Sequence, residues 1–439
     1  MRRREPFPQV AGSAASATLT ICLLLCCPAS ALRPVPGWPV SMKVSPSFPP
    51  CGLAVADVDG DGEAEVAAGS TVGRVYLWNA DGTQSSGWPV VIGGRVQSKP
   101  ALADLDDDGL PELLVLEGDT GTLWAMNGDG SLVPGWPVSV GPSTGLLAPA
   151  TLLDQQGEVT VIAPWDGGIT AYSASGRILW RLDELVGSVV AAPSACGLTG
   201  RVAALTEYGF LYVVDGACGS SLEGFPFLTG QRSSWGAPVL ADLEGDGKRE
   251  VLYTTYEMGQ SVFVNCLDED GRPATGFPVR IPGMLSYSAP VVADLDADSD
   301  LEIVLCCTGG EGTVWALDHR GRVLPGWPAQ PSVQMEGSPV VADMDGDGRC
   351  EVIAASGSAA GGVYCLDYAG RPLDGMSAWG IGPVRSDSPM LADLDGDGCR
   401  ELLVLTASGE IYAWFTDGAM GRMPWPQLYR DAENDSCAD

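Results

Sequence analysis

One short acidic text recurs along this chain, and it constrains the fold more than any other feature. At 393–401 it reads Asp393-x-Asp395-x-Asp397-Gly398-x-x-Glu401. Three carboxylates at alternate positions converge on one cation when the backbone curls, and Gly398 permits the positive φ that such a curl needs. The backbone carbonyl of Cys399 falls where the next oxygen ligand belongs, and Glu401 closes the set. Oxygen-only coordination by hard ligands suits Ca²⁺. The loop opens like an EF-hand, but the place of an EF-hand's last glutamate is taken by Val404, and a strand-like run, Leu402 to Leu405, replaces the helix. The ion is therefore expected between two strands.

Complete copies stand at Asp57, Asp59, Asp61, Glu65, at Asp104, Asp106, Asp108, Glu112, and at Asp343, Asp345, Asp347, Glu351. Their carbonyl positions are Glu63, Leu110 and Arg349. A fifth copy, Asp242, Glu244, Asp246, Lys248 and Glu250, has a longer second ligand. A sixth, Asp294, Asp296, Asp298, Asp300 and Glu302, has Ser299 where glycine is expected. Four complete and two variant loops imply about four to six calcium ions.

Between these loops the same text returns. A strand headed by proline comes first, as in Pro290-Val-Val-Ala, followed by the acidic loop. A second strand such as Glu112-Leu-Leu-Val-Leu and a third such as Val75-Tyr-Leu-Trp come next. A glycine turn then leads to Gly-Trp-Pro or Gly-Phe-Pro, beginning at Gly87, Gly135, Gly224, Gly276 and Gly326. Four short strands joined by tight turns make a small antiparallel sheet. The first three are apolar on both faces, so both faces must be covered. Radially stacked sheets, each between two neighbours, satisfy this, and the expected fold is an all-β single β-propeller of four-stranded antiparallel blades. The proline fits a strand that begins beside a central channel, where no further partner needs its amide. The aromatic before proline can wedge between blades.

Acidic-loop positions at 57, 104, 154, 242, 294, 343 and 393, with a degenerate unit at Ala192-Pro193, give eight repeats of about 48 residues. Eight blades are favoured over seven, with the third and fourth units degenerate. Pro36-Gly37-Trp38-Pro39 precedes the first loop and Met423-Pro424-Trp425-Pro426 follows the last, so either end can complete the closing blade.

These repeats resemble the FG-GAP/VCBS-type propeller repeats of integrin α-subunit heads and of many secreted bacterial proteins. The resemblance covers 32–430 and rests on the Ala-Asp-x-Asp-Gly-Asp-Gly text at Ala342 to Gly348 and Ala392 to Gly398. Residues 424–434 resemble the closing segment of bacterial secreted propellers. The resemblance implies that Asp57, Asp59, Asp61, Glu65 and their equivalents are calcium ligands. It departs in that integrin propellers have seven blades.

The termini and composition bound the function. Residues 1–31 read as a secretory signal: Arg2 to Arg4, an apolar core at Thr18 to Cys27, then Ala29-Ser30-Ala31. Cleavage near Ala31 would leave a secreted or extracytoplasmic protein, with 431–439 as a short tail. No later segment is apolar enough to span a bilayer. The formal net charge of −32 repels nucleic acid and attracts cations. Cys51 and Cys437 could staple the ring, while Cys196 and Cys218 share a repeat, as do Cys350 and Cys365.

Two functions are weighed. One is a non-enzymatic binding, adhesion or scaffold module for an extracellular protein or glycan, expected to be a monomer. The other is a calcium-dependent polysaccharide lyase on an eight-bladed propeller. The only histidine, His319, lies in a turn and is expected to be solvated, which disfavours histidine-based catalysis. Segments entering each first strand should form the channel mouth opposite the calcium loops. They carry Arg95, Lys99, Arg232, Trp235, Tyr287 and Arg385, a set that would suit an anionic ligand.

Overall fold

The computed structural model describes residues 32–416 apart from 51, 143–146, 154–156, 184, 258–260, 286–287, 309–312, 332, 334, 336, 360, 374 and 385–388, and beyond 416 only 424, 426, 437 and 438. The signal segment 1–31, Cys51, Tyr287 and Arg385 lie outside the described residues.

Eight antiparallel sheets follow one another around a ring, and no helix occurs among the described residues. Blade 1 shows the pattern: Leu53–Ala56, Glu65–Ser70, Arg74–Trp78 and Val90–Val91 pair in chain order. The second strand of each blade is almost wholly buried because a neighbouring blade covers each of its faces. Glu65–Ser70 and Glu112–Glu117 are buried throughout. The core therefore lies between blades. One cluster joins Val340 and Ile353 of blade 7 to Leu391, Leu402 and Trp414 of blade 8. First strands meet first strands around the axis, as expected for strands lining a channel. Small side chains permit that approach, and Ala148, Ala191, Ala192, Ala237 and Ala289 form one buried cluster just ahead of or beside these strands.

The closing blade resolves the choice left open between the two ends. Arg33–Pro34 and Val40–Ser41 pair with Glu410–Phe415, so the N-terminal Trp38-Pro39 text completes blade 8. The C-terminal end is used elsewhere. Leu391 N–H donates to the Pro426 carbonyl at 2.8 Å, and Cys437–Ala438 pairs in parallel with Leu240–Ala241, the first strand of blade 5.

Aromatic wedges tie most blades to the next. The indole N–H groups of Trp38, Trp88, Trp136, Trp180 and Trp327 each donate to a backbone carbonyl of the following blade at 2.6–3.1 Å. Their rings are buried. Large apolar area and a satisfied donor make each ring an effective fastener. Blade 3 supplies Trp180 without a following proline, and its outer strand Ile178–Asp183 runs longer than the two-residue strands of blades 1, 2 and 4.

The structure shows how the cysteines that share a repeat stand. Cys196 is disulfide-bonded, whereas Cys218, Cys350 and Cys365 are in no disulfide. The pairs within one repeat therefore do not form. Cys350 and Cys365 stand instead as buried thiols in the core of blade 7.

Candidate metal centres on one face of the ring

Each acidic loop connects the first and second strands of a blade, so all of them emerge on one face. The curl is built from the loop's own residues. The first aspartate accepts from the amide at the sixth position in every copy, from Gly62 to Asp57 through Gly398 to Asp393, at 2.8–3.3 Å. The fifth-position aspartate accepts from the seventh-position amide: Glu63, Leu110, Lys248, Asp300, Arg349 and Cys399 donate at 2.6–2.9 Å. The side chains of those six residues are thus irrelevant to the curl, which explains why their types differ so widely.

The sixth position has positive φ everywhere, including +76° at Ser299. The fourth position does as well, and the sequence reading missed it. Gly60, Gly245, Gly346 and Gly396 take it readily, while Asp107 and Ala297 are held there at +62° and +66°. Glycine in four of six copies was the available signal.

Carboxylate oxygens converge in five loops. The sets are Asp57, Asp59, Asp61; Asp104, Asp106, Asp108; Asp294, Asp296, Glu302; Asp343, Asp345, Asp347; and Asp393, Asp395, Glu401. The loop of Asp242, Glu244 and Asp246 folds with the same backbone bonds, but its carboxylates are not brought to a common point. Its Lys248 is drawn outward to Glu269 at 3.0 Å.

The closing glutamate does a second job beside the one its spacing suggests. In all six loops one oxygen of Glu65, Glu112, Glu250, Glu302, Glu351 or Glu401 accepts from the second-position amide at 2.6–2.9 Å. It clamps the loop's entry to the second strand. Burial raises the carboxyl of Glu65, Glu112, Glu250 and Glu401 to about 7 and that of Glu302 and Glu351 to about 8, with neighbouring aspartates or glutamates adding and the clamp bond opposing. Only Glu302 and Glu401 also join a convergent set.

The donor set fits a hard divalent cation. Asp393 Oδ1 and Glu401 Oε1 are buried with no hydrogen-bond partner, as is Asp296 Oδ1. A buried oxygen without a donor carries a desolvation cost that a cation would relieve. Water-exposed acidic turns carry no such orphans. Neighbouring loops also brace one another: Ala64 N–H donates to the Leu394 carbonyl and Cys350 N–H to that of Leu295, each at 2.8 Å.

His319 corrects an expectation. It is not solvated: its side chain is 13% exposed and lies 3.5 Å from Asp300, against the sixth loop. The turn joining third and fourth strands emerges on the same face as the acidic loops, which places His319 there.

The opposite face is different. Arg95 pairs with Asp119 at 2.6 Å and lies over the Phe48 ring. Arg232 and Trp235 are exposed there. Lys99 is a correction: it is only 2% exposed, because Gly52 leaves room for its stem, and a methyl at Gly52 would sit 2.4 Å from Lys99 Cβ. Its ammonium is not at an open mouth.

Residues 57–115 match the FG-GAP-like repeat family. That span covers the first two acidic loops. Among solved structures, the V. cholerae biofilm matrix protein Bap1 is 13% identical over 93% of this chain and 97% of that one, with a TM-score of 0.62. BamB from Moraxella catarrhalis is 17% identical over 88% and 98%, with a TM-score of 0.58. At these identities the likeness is one of fold. No curated protein matches the chain.

Proposed function

We propose that this chain, an eight-bladed propeller carrying FG-GAP-like repeats, is a secreted calcium-binding module that holds an extracellular protein or glycan and catalyses nothing. The observation that carries the calcium reading is the set of orphaned buried oxygens at Asp296, Asp393 and Glu401, inside loops whose carboxylates already converge. Asp57, Asp59 and Asp61, and the equivalent residues of the other four convergent loops, would hold the ions. Calcium would supply charge neutralisation there and so rigidify one face of the ring.

The non-enzymatic reading rests on what the acidic face lacks. Its one imidazole is packed against Asp300, and the carboxylates around it belong to the loops. On the opposite face Lys99, an amine that could have served as a base, is buried. A signal segment read at 1–31 supports export, where millimolar calcium is available to extracellular modules of this affinity class.

Thermal unfolding in saturating calcium and in calcium-free buffer tests the proposal. At a hundredfold excess over Kd each site adds about 2.7 kcal/mol, so a large rise in melting temperature is expected. An identical melting temperature in the two buffers defeats it.

A further inference from the structure

The junction between blades 7 and 8 breaks the wedge pattern. In six blades one turn delivers an aromatic side chain to the next blade. Trp38 and Trp88, Trp136 and Phe225, Phe277 and Trp327 each donate their amide to the carbonyl three residues earlier, at 3.1–3.3 Å. Blade 3 supplies Trp180 by its own route. Blade 7 makes the same turn, with Met376 N–H donating to the Leu373 carbonyl at 3.4 Å and Gly375 at φ +83°, against +93° at Gly326. The backbone is therefore in place, but the side chain is a methionine. Met376 is 3% exposed and packs in the core beside Trp414.

A cleft of about 450 Å³ lies at this junction. Its walls include Leu32, Pro34, Trp38, Ile381, Tyr412 and Trp414. Tyr412 and Trp414 stack with centroids 5.4 Å apart and planes 7° from parallel, offering an aromatic wall. The volume falls within the range of small-molecule sites, and apolar lining is their usual character.

We propose that the cleft between blades 7 and 8 is a binding site for a small ligand bearing an uncharged planar ring of about indole size. The repeat itself argues for the ring: every other junction takes one from its own chain. The proposal is independent of calcium.

Indole is the probe, measured by titration calorimetry and by melting of the full chain. Indole should bind the unaltered protein and raise its melting temperature. Met376→Trp, which restores the residue found at most junctions, should abolish both effects. Ala378→Leu, which thickens a wall of the cleft, should weaken binding by about tenfold or more and decides the matter should the first variant not fold. No binding to the unaltered protein, or undiminished binding to either folded variant, overturns the proposal.

Discussion

Blades 3 and 4 close the same ring as the other six without an acidic loop of the full pattern. In blade 4 the first and second strands are joined by residues 197–200 alone, with the Thr199 and Gly200 amides both donating to the Cys196 carbonyl. That turn satisfies itself with backbone. The connection in blade 1 runs from Asp57 to Ala64 and consumes carboxylates to hold its amides. Packing around the strands is nonetheless alike: Ala163, Ala171 and Ala203 are as buried as Ala68 and Ala354. The fold therefore does not require the long loop. Where the carboxylates are absent, Leu153 and Leu198 stand exposed at 57% and 60%. The difference teaches that ring closure does not depend on the acidic loops, which leaves them available for the calcium binding proposed above.

The largest expected effect breaks the comparison directly. On calcium removal, amide exchange should accelerate at 57–65, 104–112, 294–302, 343–351 and 393–401, while 197–200 should not change. Uniform acceleration across all eight blades would mean that the loops are not separately loaded. Carboxylates held together without an ion repel, which is the reason for the local loosening.

A pH series sharpens the same contrast. The folded carboxyls of the clamp glutamates sit at about 7 to 8, above the ordinary value of 4.5. An acid that holds its proton more tightly when folded stabilises fully below 4.5, and that contribution is lost as pH rises through 7 to 8. Calcium-free protein should therefore lose stability between pH 5 and about 8. Saturating calcium should flatten or reverse the trend, because the ion favours the ionised form. Urea midpoints at both pH values, with and without calcium, check this. A calcium-free midpoint that rises with pH would contradict the assigned burial.

Substituting one clamp separates the two kinds of blade again. Glu401→Ala leaves the Leu394 amide without its acceptor and should cost about 1–3 kcal/mol even without calcium. Arg201→Ala, at the start of the second strand of blade 4, removes only a 3.5 Å pair with Glu269 and should cost under about 1 kcal/mol. Equal losses in chemical unfolding would show that the clamp is not structural.

The alternating aspartates, the sixth-position turn, the eight-blade ring and the aromatic wedges were all legible, because each rests on a residue type repeated at fixed spacing. What was not legible depends on contacts across blades or on a backbone state that the residue does not announce. Nothing in the type of Asp107 or Ala297 predicts positive φ; the loop imposes it. Lys99 reads as a surface cation, and only the space beside Gly52, far along the chain, shows it to be buried. Asp242, Glu244 and Asp246 have ligand types at ligand spacing, yet their oxygens do not meet. Spacing fixes the backbone curl, while convergence depends on side-chain length and on what competes nearby.

The smallest predicted effect lies within the acidic blades. The sixth loop differs from its neighbours in carrying no glycine: Ala297 and Ser299 both hold positive φ, at +66° and +76°. Side chains resist that region, and relief of one such residue is worth about 1 kcal/mol. Ser299→Gly removes one of the two penalties without touching a carboxylate, so it should stabilise the protein by up to about 1 kcal/mol. The bond from position 299 to Asp294, longest of its kind at 3.3 Å, should shorten toward the 2.8–3.0 Å of the other loops. The sixth site should then bind calcium more tightly while the Asp393 site keeps its affinity. Calcium titration with a chelator competitor reads both. A weaker sixth site after the substitution would mean that the serine hydroxyl contributes something the loop needs, and that its conformation is not merely tolerated.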